Sequence, residues 1–298
     1  MAKVNGVTNP PKINNSVGAK VNNVAISRIG VWSAGGALGT RRRDLAGCGT
    51  SRTALISIEG IIYNGSTSRT SETYNGTSWS GVADSMTQNS YSTAVGTSSS
   101  AHAWGGSGGT YTGRIFNGSS WSWSGNMYTN LWGMAGCGTS SSSLSMCGSQ
   151  SGVDTGSTQL WNGSSWSSLS YNSTARTYLA GCGTSSAGLC FGGNASGTKT
   201  TTTDHFNGSS WSSGGALPSG RDYIAGCGLQ TAALCFGGRT DSNDPTNSTQ
   251  QYNGSSWITG GNLSTARKSL AGGGSQTAGA SFGGYTSDYV STTEHYTI

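Results

Sequence analysis

The run Phe206-Asn207-Gly208-Ser209-Ser210-Trp211 decides how this chain is read, because it comes back. The same order of aromatic residue, Asn, Gly, Ser or Thr, Ser and Trp occurs from Tyr74 to Trp79, Phe116 to Trp121, Trp161 to Trp166 and Tyr252 to Trp257. With Trp32 included, tryptophans stand at 32, 79, 121, 166, 211 and 257, spaced by 47, 42, 45, 45 and 46 residues. A period of this size is one four-stranded blade of a β-propeller, a unit that buries its faces only against copies of itself. Asn-Gly between two aromatic-bearing runs predicts a hairpin with a type I′ turn, here joining the third and outer strands of each blade.

Working outward from the hairpin gives the rest of the blade. Tyr223-Ile224-Ala225-Gly226-Cys227-Gly228 reads as the innermost strand, where blades crowd the axis and only small side chains fit. Ala233-Leu234-Cys235-Phe236-Gly237-Gly238 reads as the second strand, ending in a glycine pair that permits a sharp bend or a close approach. The pair returns at Gly105-Gly106, Gly192-Gly193 and Gly283-Gly284, each time after Trp or Phe. Ile58-Glu59-Gly60 and Met146-Cys147-Gly148 depart from it, and a distorted second strand is expected there.

A glycine pair after an apolar strand, then an aromatic, then a Trp a few residues later resembles the Kelch repeat, over about 270 residues of the chain. The resemblance implies an all-β, six-bladed propeller of Kelch-like four-stranded blades. The Gly-x-Ser-Trp spacing is shared with the sialidase Asp-box, but the Asp position of that motif holds Tyr74, Phe116, Trp161, Phe206 or Tyr252. The chain ends complete one another: Tyr296 occupies the hairpin aromatic position with no Trp after it, and Trp32 has no Asn-Gly before it. A strand at about 29–34 is therefore expected to pair with the C-terminal blade and close the ring, which removes exposed sheet edges. The division is an extended N-terminal arm at 1–28 and a propeller at 29–298.

Composition fits a rigid polar ring. Of 298 residues, 33% are hydrophobic, 9% are charged and 50 are Gly, a balance that the period alone separates from low complexity. The net charge is +5, with seven basic and no acidic residues before Asp44, so the leader is the basic part. No apolar run is long enough to span a membrane, and the start has no signal-peptide core, which implies synthesis without one. Seven cysteines follow the repeat and are expected as buried free thiols. Cys182 with Cys190 and Cys227 with Cys235 are the pairs that a hairpin would set face to face.

Chemistry is sparse. The three histidines are His102, His205 and His295, and the last two share one strand position in different blades, so they do not converge. No ligand cluster has metal spacing, no Ser has a strand-turn-helix elbow, and no glycine-rich phrase leads into a helix. Neither catalysis nor a cofactor nor a metal nor specific nucleic-acid binding is expected. The one patterned polar signal is Arg42, Arg176, Arg221 and Arg267, each three residues before an innermost strand's Leu or Ile, with Asn89 and Leu131 in the other two blades. They are expected to ring one channel mouth as a positive arc for an acidic group or glycan carboxylate, or else to hydrogen-bond neighbouring loops. Variable connections such as 194–201 and 239–249 emerge on that same face.

Leu45-Ala46-Gly47-Cys48-Gly49-Thr50 is similar to a phrase of Kelch-like repeat proteins of marine phages. That likeness implies a virion structural or adhesion protein, such as a phage tail, fibre or decoration protein. Its partners would be other virion proteins through residues 1–28 and a glycan or protein on the host surface. A carbohydrate-binding lectin and a Kelch protein-interaction adaptor are the alternatives.

Overall fold

Each aromatic-to-Trp run folds as the hairpin between the two outer strands of a blade, with Phe206 opposite Trp211, Tyr74 opposite Trp79 and Tyr252 opposite Trp257. The loop differs from the expected two-residue turn. Four residues connect the strands, only the glycine has positive φ (97° at Gly208), and Asn207 Oδ1 accepts the amides of Ser209 and Ser210 at 3.0 and 2.9 Å. The asparagine is favoured for its carboxamide, which replaces the missing backbone partners, and not for a left-handed conformation.

The computed structural model describes residues 29–107 and 111–298. The expected arm at 1–28 lies outside the described residues. Six four-stranded antiparallel sheets form the propeller. Blade 1 comprises Ala46–Ser51, Ala54–Ile58, Ser71–Tyr74 and Trp79–Val82; blade 2, Thr93–Thr97, Ser100–Trp104, Thr112–Phe116 and Trp121–Asn126. Blade 3 comprises Ala135–Thr139, Ser142–Met146, Thr158–Trp161 and Trp166–Ser168; blade 4, Ala180–Thr184, Ala187–Phe191, Thr203–Phe206 and Trp211–Ser213. Blade 5 comprises Ala225–Leu229, Ala232–Phe236, Thr249–Tyr252 and Trp257–Thr259. Blade 6 takes Ala271–Gly274, Gly279–Phe282 and Thr293–Thr297 from the C-terminus and Val31–Gly35 from the N-terminal side. Trp32 pairs with Tyr296, the register of every other hairpin, so the ring closes as the sequence requires.

Two contacts explain why the repeat keeps its large residues. The outer-strand Trp reaches into the preceding blade: Trp257 Nε1 donates to Thr203 Oγ1 at 2.9 Å, Trp211 to Thr158 Oγ1 at 3.0 Å, and Trp79 and Trp32 make the same bond to Thr293 and Thr249. The aromatic before the glycine pair reaches the other way, onto the innermost strand of the following blade. A Cβ added to Gly226 would lie 2.5 Å from Phe191, one on Gly272 2.5 Å from Phe236, and one on Gly47 2.4 Å from Phe282. Glycine stands there because a neighbouring ring fills the place of its side chain. In blade 1 the place of that aromatic is taken by Ile58, and the facing residue in blade 2 is Ala94, in the same buried cluster.

The two departures from the glycine pair do not distort their blades. Glu59 and Cys147 adopt φ of 58° and 57°, beside 61–65° at Gly105, Gly192, Gly237 and Gly283, and the pairing next to them is regular; blade 1 has a register shift only at the far end of that pairing, between Cys48 and Ser51. The proposed cysteine pairs do not face each other. Cys182 lies opposite Leu189 and Cys190 opposite Gly181, while Cys227 lies opposite Leu234 and Cys235 opposite Gly226. A one-residue offset sends the two side chains to opposite faces. All seven cysteines are free and buried, and the thiols of Cys137 and Cys227 donate to the Thr184 and Ser275 carbonyls of the next blade at 3.1 and 3.5 Å. Burial pushes the Cys48 and Cys227 thiols up to about 12, far from thiolate chemistry.

The Ile58–Ala94 contact yields a cycle. Ile58→Phe alone should overpack against Ala94 and cost about 1–3 kcal/mol. The double variant I58F/A94G should recover most of that loss, read by urea unfolding; equal stability of the single and double variants would contradict the packing.

Candidate functional site

The approach to each innermost strand is a triplet, and its three positions do different work. The triplets are Arg42-Arg43-Asp44, Asn89-Ser90-Tyr91, Leu131-Trp132-Gly133, Arg176-Thr177-Tyr178, Arg221-Asp222-Tyr223 and Arg267-Lys268-Ser269.

The first position is buried. Arg42 and Arg176 are 0% exposed and Arg221 and Arg267 are 1% exposed, so these four do not form an accessible positive arc. Each guanidinium turns inward to a third-strand partner of its own blade: Arg42 to Glu72 at 2.5 Å, Arg176 to Asp204 at 2.6 Å, Arg267 to Glu294 at 2.7 Å, and Arg221 to Gln250. Arg267 also donates to the carbonyls of Gly283 and Thr292, and Arg221 to those of Gly237 and Ser248. Arg221 and Arg267 thus tie the first glycine of the pair to the residue before the third strand, Arg42 does the same through the Glu59 and Thr70 carbonyls, and Arg176 instead bonds the carbonyl and thiol of Cys190 in its second strand. This is the loop-bonding role, set by a fork of donors that lysine lacks. Burial draws Arg42 and Arg267 down to about 10, partly offset by Glu72 and Glu294, and both stay charged at neutral pH.

The two blades without the arginine solve the same problem differently. In blade 2, Asn89 Nδ2 keeps the bond to the Gly105 carbonyl at 2.7 Å, and Arg114 replaces the third-strand acid. Its counter-ion comes from blade 1: Glu59 Oε2 accepts from Arg114 Nη2 at 2.8 Å and from Ser92, while Oε1 accepts from Ser85 and Thr87. In blade 3, Leu131 is buried and Gln159 turns to the Tyr128 amide and the Thr129 hydroxyl.

The third position closes a belt at the axis. Tyr91 N donates to Asp44 O, Gly133 to Tyr91, Tyr178 to Gly133, Tyr223 to Tyr178, Ser269 to Tyr223 and Asp44 to Ser269, all at 2.7–3.0 Å. Every one of these residues has φ between 52° and 62°. Their side chains converge on the mouth, where Tyr178 and Tyr223 stack at 3.9 Å and Tyr91 meets both edge-on at 5.6 and 6.4 Å. With Asp44 and Ser269 they line a cavity of about 90 Å³, the first of three along the channel. A second of about 140 Å³ lies between the innermost strands, and a third of about 430 Å³ opens at the opposite mouth between the Cys-Gly-Thr segments. Burial raises the Asp44 carboxyl, opposed by Ser269, Arg43 and Tyr91, and burial also raises the Tyr91 and Tyr223 phenols.

The second position faces the loops. Trp132 packs 5.5 Å from Tyr178, extending an aromatic half across blades 2–5. Across blades 5, 6 and 1 the mouth is cationic. Arg239 lies 4.6 Å over Tyr223 and pairs with Asp222 at 2.7 Å; Arg43 lies 5.3 Å over Tyr285 and pairs with Asp44 at 3.0 Å; and Lys268 lies 5.9 Å from the Tyr285 centroid. These rings and cations are half-buried and solvent-accessible.

Sequence reasoning located the mouth but chose the member of each triplet that turns into its blade. The usable signal was Tyr178 and Tyr223, directly before the innermost strands. His205 bonds the Tyr252 hydroxyl at 2.8 Å, and His102 is buried between the hydroxyls of Ser143 and Ser124 at 2.9 and 3.0 Å. Among the described residues no group of three or more His, Cys, Asp or Glu is placed to hold a metal ion. No protein-family profile matches the chain, and no curated protein matches it in sequence. The fold and this mouth define it as a six-bladed β-propeller.

Two outcomes follow from the buried polar groups. Arg114→Met leaves Glu59 without its counter-ion and should cost about 3–5 kcal/mol in urea unfolding, whereas E59G/R114Q, which removes both charges, should cost less. A double variant weaker than the single would contradict the exchange. Burial, with Arg114 adding to it, pulls His102 down to about 3. The unfolded chain therefore takes up a proton near pH 6.5 that the folded chain refuses. Stability falls as pH drops from about 6.5 toward 3, by up to about 1.4 kcal/mol per pH unit. His102→Gln should flatten that limb in pH-dependent unfolding; an unchanged slope would show that His102 is not its source.

Proposed function

We propose that this chain is a non-enzymatic structural and binding protein, built of Kelch-like repeats and carried in a virus particle as a tail, fibre or decoration component. The observation that carries the binding reading is how the polar side chains are distributed. Those fixed by the repeat are used inside the blades: the arginines on third-strand acids and loop carbonyls, the Trp indoles on threonines, the hairpin asparagines on backbone amides. Side chains that change from blade to blade gather at one mouth, beside the second-to-third-strand loops. A rigid ring that varies on one face is the usual form of a binding platform.

The virion assignment is supported by the likeness of the Leu-Ala-Gly-Cys-Gly-Thr phrase to phage repeat proteins. The basic leader at 1–28 supplies the anchor in this reading, by adding to or lying across a neighbouring particle protein. Mass spectrometry of purified particles should find the chain in them. Deleting residues 1–28 should reduce incorporation to background while the propeller still folds by circular dichroism; normal incorporation of the truncated chain would contradict an anchoring arm.

A further inference from the structure

From the two halves of the mouth we infer that its ligand is an acidic polysaccharide, with the sugar rings on the aromatic half and a carboxylate held at Lys268. The inference rests on the binding reading above and names the ligand class of that same site.

The charge count at the mouth singles out Lys268. Arg239 is held by Asp222 through two bonds, at 2.7 and 3.0 Å, and Arg43 by Asp44 at 3.0 Å. The Lys268 ammonium makes no hydrogen bond and no ion pair with any described residue. It sits within the field of both arginines and both carboxylates, which leaves one uncompensated positive charge among these five groups. The half-buried ammonium is drawn down from its ordinary value, by burial first and then by Arg239, so an arriving anion would relieve the strain on its charge. Its backbone is fixed: Lys268 N and O pair with Tyr285 O and N at 3.0 and 2.8 Å.

The opposite half supplies rings in place of charge. Trp132, Tyr178, Tyr223 and Tyr91 form a continuous chain of ring contacts at 3.9–6.4 Å. The three tyrosines stand on the axial belt and Trp132 adjoins it, its backbone paired with Ser149, so presenting the rings takes little ordering. Aromatic rings with polar tips suit a ligand that alternates C–H faces with hydroxyls. A protein partner instead anchors large side chains in a deep, desolvated pocket, and the belt leaves only about 90 Å³ beneath the rings. Shallow rings beside one free ammonium match a uronic or similar acidic sugar better than an acidic peptide.

The test is calorimetric titration of the full chain with oligogalacturonate and hyaluronan fragments, against neutral cello- and chito-oligosaccharides and poly-aspartate. At least one acidic sugar should bind, more weakly at high salt, with Lys268→Met weakening it about tenfold and Trp132→Ala also weakening it. Both side chains are half-buried with access to solvent, and circular dichroism should show both variants folded. Absence of binding by every acidic sugar, equal affinity for the neutral ones, tighter binding of poly-aspartate, or indifference to Lys268→Met in a folded protein would each overturn the inference. A chain that enters particles but fails this titration loses the ligand class alone, and one that passes it but is missing from particles loses only the virion reading.

Discussion

Six backbone hydrogen bonds around the axis are the constraint on which the rest of this propeller depends. Each amide donates to the carbonyl of the preceding blade, and the sixth bond, from Asp44 to Ser269, joins the first blade to the last. To make the belt, five non-glycine residues and Gly133 all take left-handed backbone, at a cost of order 1 kcal/mol for each non-glycine. The closed ring over-determines that conformation, because relaxing one residue breaks bonds to two blades. The belt also fixes how near the innermost strands approach, which is why glycine faces the neighbouring Phe191, Phe236 and Phe282. The residue before the belt is thereby turned outward to the loops and the one before that inward, into the blade.

The places where repeats differ show that these positions are coupled. Where the large ring before the glycine pair becomes Ile58, the facing glycine becomes Ala94. Where the clamping arginine becomes Asn89, the acid it would have bonded becomes Arg114, and the balancing carboxylate appears one blade earlier as Glu59, at a left-handed position that glycine holds in four of the other five blades. Removing one member of a buried ion pair is costly, so at Arg114 and Glu59 the two charges moved together, whereas the buried Arg221 is met by neutral acceptors, Gln250 Oε1 and two backbone carbonyls. At the mouth the rings and cations reach solvent, and there the blades diverge.

The period, the blade count and the seam were legible because they follow from spacing alone: Tyr296 without its Trp and Trp32 without its turn are complementary fragments of one hairpin. The position of the arginines was legible too, but their direction was not. Which way the arginine of Arg221-Asp222-Tyr223 turns, into its blade or toward the mouth, depends on the left-handed turn at Tyr223, and no propensity favours that conformation in a tyrosine. The same limit hid the cysteine register, which turns on a single residue of offset, and the hairpin loop, where Asn-Gly carried a side-chain bond in place of a type I′ turn. Glu59 and Cys147 looked like defects because glycine is the ordinary occupant of their backbone conformation, and the surrounding ring holds them in it regardless.

The central claim is that the ring behaves as one closed unit, and native-state hydrogen exchange at the six belt amides tests it most directly. The account predicts that Asp44, Tyr91, Gly133, Tyr178, Tyr223 and Ser269 exchange together, with one shared opening free energy close to that of global unfolding. Fast exchange of Asp44 and Ser269 beside slow exchange of the other four would mean that the ring opens at its seam, and would contradict the claim.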